Sequence, residues 1–462
     1  MRTSFRSTGV GRLLFVTVLA IPLLGISSGA VAPFTAEDPG PRLTPSRNGA
    51  PFEGLTPIQH QLFINGHQVF NDAASVQGNL PATRPGLGPR FNAESCASCH
   101  GHPHLGGTSQ KLNPQVELAT REGATNHVPS FLKADGPAFE VRFKFKPDGM
   151  RDDSVHALFT ISGRSDAAGC VLEQPDFKRA AAVDNLAFRI PTPMFGAGLI
   201  EAIDDETIIA NMQTDAPKKF SFGIRGRPNA GGRPNTNEND NTITRFGWKA
   251  QNKSLELFVA EAFNVEQGIT NELFPQEIEE APGCRFNLTP ERTTQVEALT
   301  PLDFPSDVVK AAFFIRFLAP PEPVPDSDSI VRGRTLFGDV GCALCHTPAL
   351  RTGNATHAVL RDKDAKLYSD LLLHNMGSGL ADDIHQGKAR GDEFRTAPLW
   401  GLGERFFLLH DGRTKDLKEA IVAHASRGDW RYPASEANES VSRFNKLTEI
   451  DKQHVLNFLR GL

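Results

Sequence analysis

Positive charge is not in excess in this chain. Its 49 Lys and Arg stand against 54 Asp and Glu, a net charge of −5, so it offers no basic footprint for nucleic acid. Beyond residue 26 no stretch is long and apolar enough to span a bilayer. Cysteine and methionine are scarce, with six and five residues. No two C-x-x-C pairs lie close enough to share one metal, which excludes an ordinary structural zinc site. Scarce residues make each position count.

Four of the six cysteines fall in one repeated signature. Cys96-Ala97-Ser98-Cys99-His100 is the first copy and Cys342-Ala343-Leu344-Cys345-His346 the second. Two thiols a helical turn apart add across the two vinyl groups of one porphyrin, and the following His places an imidazole beneath the iron. A redox C-x-x-C has no need of that His. With 14 His in 462 residues, a chance His after both motifs has odds of about one in a thousand. Two covalently attached haem c groups are therefore expected, held by Cys96, Cys99, Cys342 and Cys345, with His100 and His346 as proximal iron ligands.

The N-terminus agrees. Arg2, Arg6 and Arg12 precede an apolar run from Leu13 to Ile26, and small residues follow through Ala32. Residues 1–32 thus read as a signal peptide, with an uncleaved anchor as the alternative. Either places the body in the periplasm. Cys170 and Cys284 are left over in an oxidising compartment, where a disulfide is allowed, although sequence does not report their distance.

The fold class expected is mainly α. An N-terminal cytochrome c-like domain (50–320) carries a loop-rich insertion with short β-strands, and a C-terminal cytochrome c-like domain (326–462) follows a stiff Pro-rich linker, Pro320 to Pro325. Helices are expected from Thr56-Pro57, over Ser254 to Val265, Val308 to Leu318 and Asp326 to Phe337, and from Thr448. Strands are expected within Phe139–Phe145 and His156–Ser162, and a loop over Gly226–Thr242. Gly66 and Phe70 repeat the four-residue spacing of Gly333 and Phe337, each upstream of a haem motif. Small-then-aromatic spacing lets two helices approach closely while the ring packs by the haem edge. Downstream, Phe188-Arg189 before Pro193-Met194-Phe195-Gly196-Ala197-Gly198 echoes Phe394-Arg395 before Pro398-Leu399-Trp400-Gly401-Leu402-Gly403. Arg189 and Arg395 are candidate partners for haem propionates, because guanidinium matches carboxylate geometry.

The sixth iron positions decide the function. Methionine opposite histidine suits electron transfer, whereas an open position suits activation of a small molecule. Met376, in His374-Asn375-Met376-Gly377, is the candidate for the second haem. The first haem has no comparable methionine; His127 is one candidate and an open position the preferred reading.

These segments resemble two related groups. Trp248-Lys249-Ala250-Gln251 with Ser254-Leu255-Glu256, and His410-Asp411-Gly412-Arg413, are similar to stretches of bacterial di-haem cytochrome c peroxidases. Phe91 to Cys96, Arg245 to Gln251, Ser369 to Gly377 and Glu393 to Gly403 resemble more closely the di-haem oxidoreductases often labelled thiol oxidoreductases. The resemblance spans about residues 55–462. It implies a tryptophan between the haems, Trp248, and a glutamate facing the reactive haem, Glu266. It also implies reduction of a small oxidant such as hydrogen peroxide, an electron-donor protein (a c-type cytochrome or a cupredoxin), and Ca²⁺ between the domains. The sequence departs from the peroxidases where their W-D-G-R reads Trp248-Lys249-Ala250-Gln251, and in the Trp248-to-Glu266 spacing. No residue supports the "thiol" label. Two other readings stand beside the peroxidase: a purely electron-transferring di-haem cytochrome, and a protein-oxidising di-haem enzyme in which a tyrosine, here Tyr368, caps the second haem.

Overall fold

Each haem motif lies beside a pair of helices that touch back to back. The computed structural model describes residues 9, 34–43, 49–230, 242–278, 281–287 and 305–462. The expected signal peptide lies outside the described residues apart from Gly9, as do residues 231–241 of the expected loop. Met1–Thr35 and Ala36–Leu462 are separate units; everything that follows concerns the second.

The helix Pro57–Asn71 starts where its chemistry dictates. The Thr56 hydroxyl accepts from the Gln59 amide, the Gln59 side chain caps back, and Pro57 opens the first turn. It packs on the helix Asp307–Phe317, capped by Ser306. At the crossing a Cβ on Gly66 would lie 1.9 Å from the Lys310 carbonyl oxygen, so only glycine fits. Phe63 and Phe70 then close on Phe314, at 5.2 and 5.1 Å between ring centroids. The second half repeats the device. Asp328–Asp339, capped by Ser327, packs on Glu449–Gly461, capped by Thr448. A Cβ on Gly333 would stand 2.0 Å from the His454 carbonyl oxygen, and Phe337 meets Phe458 at 5.4 Å. The Ser327 cap delays this helix by two residues relative to the expected start.

The downstream echo is also structural. Phe188-Arg189 ends a strand, Leu186–Arg189, antiparallel to Glu140–Phe143, and Phe394-Arg395 ends Glu393–Arg395, antiparallel to Leu373–Asn375. The two Pro/Gly turns then face each other. The Cβ position of Gly196 points at the Trp400 ring and that of Gly401 at the Phe195 ring. Gly198 and Gly403 each lie against a helix carbonyl, of Arg316 and Arg460, at 2.0 and 2.1 Å from their missing Cβ atoms.

Strands among the described residues pair only in twos, giving five short ribbons and no sheet layer. The molecule is therefore helical with β ribbons, as expected, although the second expected strand shrinks to Phe159–Thr160. A further helix of the first half, Leu255–Gln267, is capped by Ser254 and packs on Asp307–Phe317. Cys170 and Cys284 form the disulfide that sequence left open.

Candidate di-haem site

The two C-x-x-C-H motifs each open onto an internal cavity. Ser95 caps the short helix Cys96–Cys99. Gly341, at φ +93°, turns the chain into the tight turn Cys342–Leu344. The four sulfurs form no disulfide. Burial pushes the Cys96 and Cys342 thiols up to about 12, which is the wrong direction for a reactive redox pair.

Both histidines are oriented as ligands. His100 Nδ1 bonds the Gly107 carbonyl at 3.0 Å, and His346 Nδ1 bonds the Tyr368 carbonyl at 2.9 Å. A ring nitrogen fixed in this way leaves Nε2 to bind a metal. Burial lowers both imidazoles, His346 to about 4, so both are neutral. The His346 cavity encloses about 1530 Å³ of atom-free space and the His100 cavity about 1120 Å³, counting where they open to solvent. Phe70 and Phe337 line the respective cavities, with their rings 6.0 and 6.3 Å from His100 and His346. Paired thiols, an oriented neutral imidazole, an aromatic edge and an apolar chamber fit a haem in each place.

The cavities differ in what faces the histidine. Met376 lines the His346 cavity, as expected of a sixth ligand. So does His424, whose Nδ1 bonds the Ala420 carbonyl at 2.7 Å and leaves Nε2 without that partner. Sequence gave no hint of His424, which sits at the end of Leu417–Ala423 far from any motif. Tyr368 is on the other side: its carbonyl holds His346, while its ring packs on Phe337 and Phe458 and its hydroxyl pairs with Arg334. The tyrosine-capped alternative loses its residue.

The His100 cavity holds carboxylates instead. Glu266 lines it together with Glu140 and Glu261. Met194 is on its wall too, two residues after Thr192, whose backbone bonds the His100 ring, and its amide donates to the Gly106 carbonyl. His127 is a correction. Its side chain is exposed and does not line the cavity, because the chain there runs over the surface, tied by Gln174.

One thin wall separates the cavities. Trp248, Ile190 and Pro191 line both. The indole Nε1 donates to the Ile190 carbonyl at 2.8 Å, and the Ile190 amide donates to the His410 carbonyl at 2.8 Å. The His410 ring stands edge-on to Trp248 and stacks on Phe394 at 4.3 Å. Burial lowers His410 to about 4, so this aromatic bridge is uncharged.

The two expected propionate arginines separate. Arg189 reaches the His100 cavity, but its guanidinium is committed to Asp382, at 2.7 Å, and Gln386. An internal carboxylate already neutralises it, so the expectation fails for Arg189. Arg395 bonds only the carbonyls of Gly247 and Thr396. Beside it Arg405 bonds those of Pro398 and Trp400, and its Nε has no partner. Neither meets a carboxylate among the described residues. Burial pulls both down to about 10, with each other's charge adding to the effect on Arg405. Two buried, unneutralised guanidinium groups on the His346 cavity fit a pair of carboxylates brought by the cofactor. Arg405 carried no sequence signal of its own.

The only cluster of three His, Cys or carboxylate ligands among the described residues is Cys345, Asp370 and His374, at the haem motif itself. Lys249, next in the chain to Trp248, is buried behind the shared wall. Its ammonium donates to the carbonyls of Arg390 and Glu393, at 2.8 and 2.9 Å, and meets Asp382 at 3.0 Å. It also lies 4.0 Å from the centroid of the Phe394 ring, fully buried. His374 is held by Asp370 at 2.9 Å and Glu436 at 2.8 Å. Burial opposes its charge, and the Asp370 carboxylate bonded to it favours that charge. It anchors the strand that leads to Met376.

The family described as "Di-haem oxidoreductase, putative peroxidase" matches residues 147–462. No curated protein matches the chain. Among solved structures, hydrazine synthase of Kuenenia stuttgartiensis is 18% identical, with 34% of this chain and 55% of that one covered and a TM-score of 0.24. A MauG-like protein associated with microbial copper homeostasis is 17% identical, with 36% and 55% covered and a TM-score of 0.24. The diheme peroxidase BthA from Burkholderia thailandensis is 13% identical, with 93% and 92% covered and a TM-score of 0.37. The chain spans about half the length of the first two. The family match, by contrast, takes in both the shared wall and the second haem motif, and on it the chain belongs to the di-haem oxidoreductase family.

Proposed function

We propose that this is a periplasmic di-haem c-type oxidoreductase built from two cytochrome c-like domains. Electrons from a small donor protein, a c-type cytochrome or a cupredoxin, enter on the His346 side, and a small oxidant, hydrogen peroxide, is reduced on the His100 side. The observation that carries this reading is the asymmetry of the cavities. Met376 and His424 line the His346 cavity, whose described lining has no carboxylate, while Glu140, Glu261 and Glu266 line the His100 cavity together with Met194. The C-x-x-C-H pattern supports covalent attachment at all four cysteines.

A haem held by His100 would supply redox chemistry toward a small oxidant. The chain supplies the rest. Peroxide reduction takes up two electrons and two protons and releases two waters. Glu266 is the group that gives a proton to the departing peroxide oxygen, while a neighbouring carboxylate takes the proton released from the other oxygen. Burial, and then the charge of Glu140, push its carboxyl up to about 8, so at neutral pH it carries a proton to give. Trp248 spans the wall between the cavities and serves as the relay for electrons. Arg395 and Arg405 bind the propionates of the second haem. Lys249 takes the place of the interdomain calcium.

The test is electron paramagnetic resonance and optical spectroscopy of the two ferric haems, before and after peroxide. One high-spin haem that reacts with peroxide and one low-spin haem are expected. Two inert low-spin haems would instead leave the protein as an electron carrier.

A further inference from the structure

Three carboxylates reach the His100 cavity, and they are not equivalent. Glu140 comes from the strand Glu140–Phe143; Glu261 and Glu266 come from the helix Leu255–Gln267. Arg142 and Arg189 are the cations facing them. Arg142 Nε donates to Glu140 at 2.6 Å, and Arg189 is committed to Asp382. Glu261 accepts from the Asn252 amide. Glu266 accepts from Asn92 Nδ2 at 3.0 Å and bonds the Glu140 carboxyl.

Asn92 has no freedom to do otherwise. It is fully buried, and its Oδ1 accepts from the Leu158 amide at 2.8 Å, which fixes its Nδ2 toward Glu266. The bond between Glu140 and Glu266 therefore needs a proton on one of the two carboxyls. Two carboxylates this close, away from bulk water, do not both ionise at neutral pH. Arg142 decides which of them is the anion. Burial would raise Glu140, but Arg142 and then Arg189 more than offset this and hold it below its usual range.

We propose that Glu140 and Glu266 form one proton-sharing pair, in which Glu140, anchored by Arg142, is the positioning residue that keeps Glu266 protonated and receives a proton in turn. The pair holds one proton and one vacancy. A proton leaving the near peroxide oxygen enters the vacancy, and the proton on Glu266 passes to the far oxygen. The pair ends as it began, and a lone glutamate ionised at neutral pH has no proton to lend. This rests on the reading that the His100 side is the reactive one.

The experiment uses the intact di-haem protein. Infrared titration reads the carbonyl stretch of protonated carboxyl groups, and stopped-flow absorbance reads the peroxide reaction from pH 5 to 9. The wild type should show a protonated carboxyl at pH 7 that is lost near pH 8 and disappears in Glu266→Gln. Glu140→Gln should move that titration down by at least one pH unit and move the basic limb of the rate profile with it. Absence of the protonated band in the wild type at pH 7 overturns the proposal without any variant. So does Glu140→Gln with both profiles unchanged. If Glu140→Gln does not fold, Arg142→Gln replaces it: freeing Glu140 from its cation should shift the same band, and an unmoved band overturns the proposal. A Glu266→Gln protein that reacts with peroxide at the wild-type rate, with the band gone, overturns the proton transfer from the pair; a His100 haem that is low-spin and inert in the wild type counts instead against His100-side reactivity.

Discussion

Lys249→Met tests whether the wall between the cavities is held by a resident cation. The side chain is fully buried, and its ammonium has three oxygen partners: the carbonyls of Arg390 and Glu393 and the Asp382 carboxylate. Methionine fills the aliphatic volume, so the packing loss is small, about 1 kcal/mol or less. The two carbonyls lose a donor, at about 1 kcal/mol each at the low end. Asp382 keeps Arg189 and the Ile384 amide, so its charge is weakened rather than stranded. The sum is about 2–3 kcal/mol, just below the range found when one partner of a buried ion pair is removed and its charge left stranded. Urea unfolding at pH 7, followed by circular dichroism, measures it. A local effect should accompany the loss, because the Arg395 amide donates to the Trp248 carbonyl at 2.9 Å in the same cluster and Arg395 lines the His346 cavity. The spectrum of the second haem should therefore shift. A loss below about 1 kcal/mol would refute the assignment. A calcium-dependent rise in wild-type stability would refute it too, since the site would then want a metal that Lys249 only displaces.

Met376→Ala should alter the spectrum and potential of one haem and leave the other unchanged; if His424→Ala does this instead, the sixth ligand is His424. Stability should fall with rising pH because of Glu266. Its carboxyl, raised to about 8, keeps a proton that the unfolded chain releases near pH 4, so the folded state binds more protons between those values. The slope attributable to one such group is at most about 1.4 kcal/mol per pH unit. Glu266→Gln should flatten the urea midpoint over pH 5–8, and an unchanged slope rules this out. Reducing the Cys170–Cys284 bridge, which spans a sequence separation of 114, should cost about 2–5 kcal/mol. Thermal unfolding with and without reductant reads it, and equal midpoints would mean that the loop is held by other contacts.

What was legible in the sequence was what local chemistry determines. Thr56, Ser254 and Thr448 start helices because a hydroxyl before an apolar period satisfies a free amide. Gly66 and Gly333 mark helix crossings because nothing larger fits against a carbonyl. Glu266 and Trp248 were visible only through resemblance, and both line the His100 cavity. What was not legible depends on partners distant in the chain. Arg189 and Arg395 stand at matching positions in the two repeats, and no local rule separates them. Asp382, 193 residues beyond Arg189, reaches one and not the other. The same carboxylate, shared with Lys249, ties the first half to the segment before Arg395. The repeat thus built two similar haem chambers, and long-range charge pairing made them different. The His346 chamber holds two guanidinium groups that meet no carboxylate among the described residues, and the His100 chamber pairs Arg142 with Glu140 and Arg189 with Asp382.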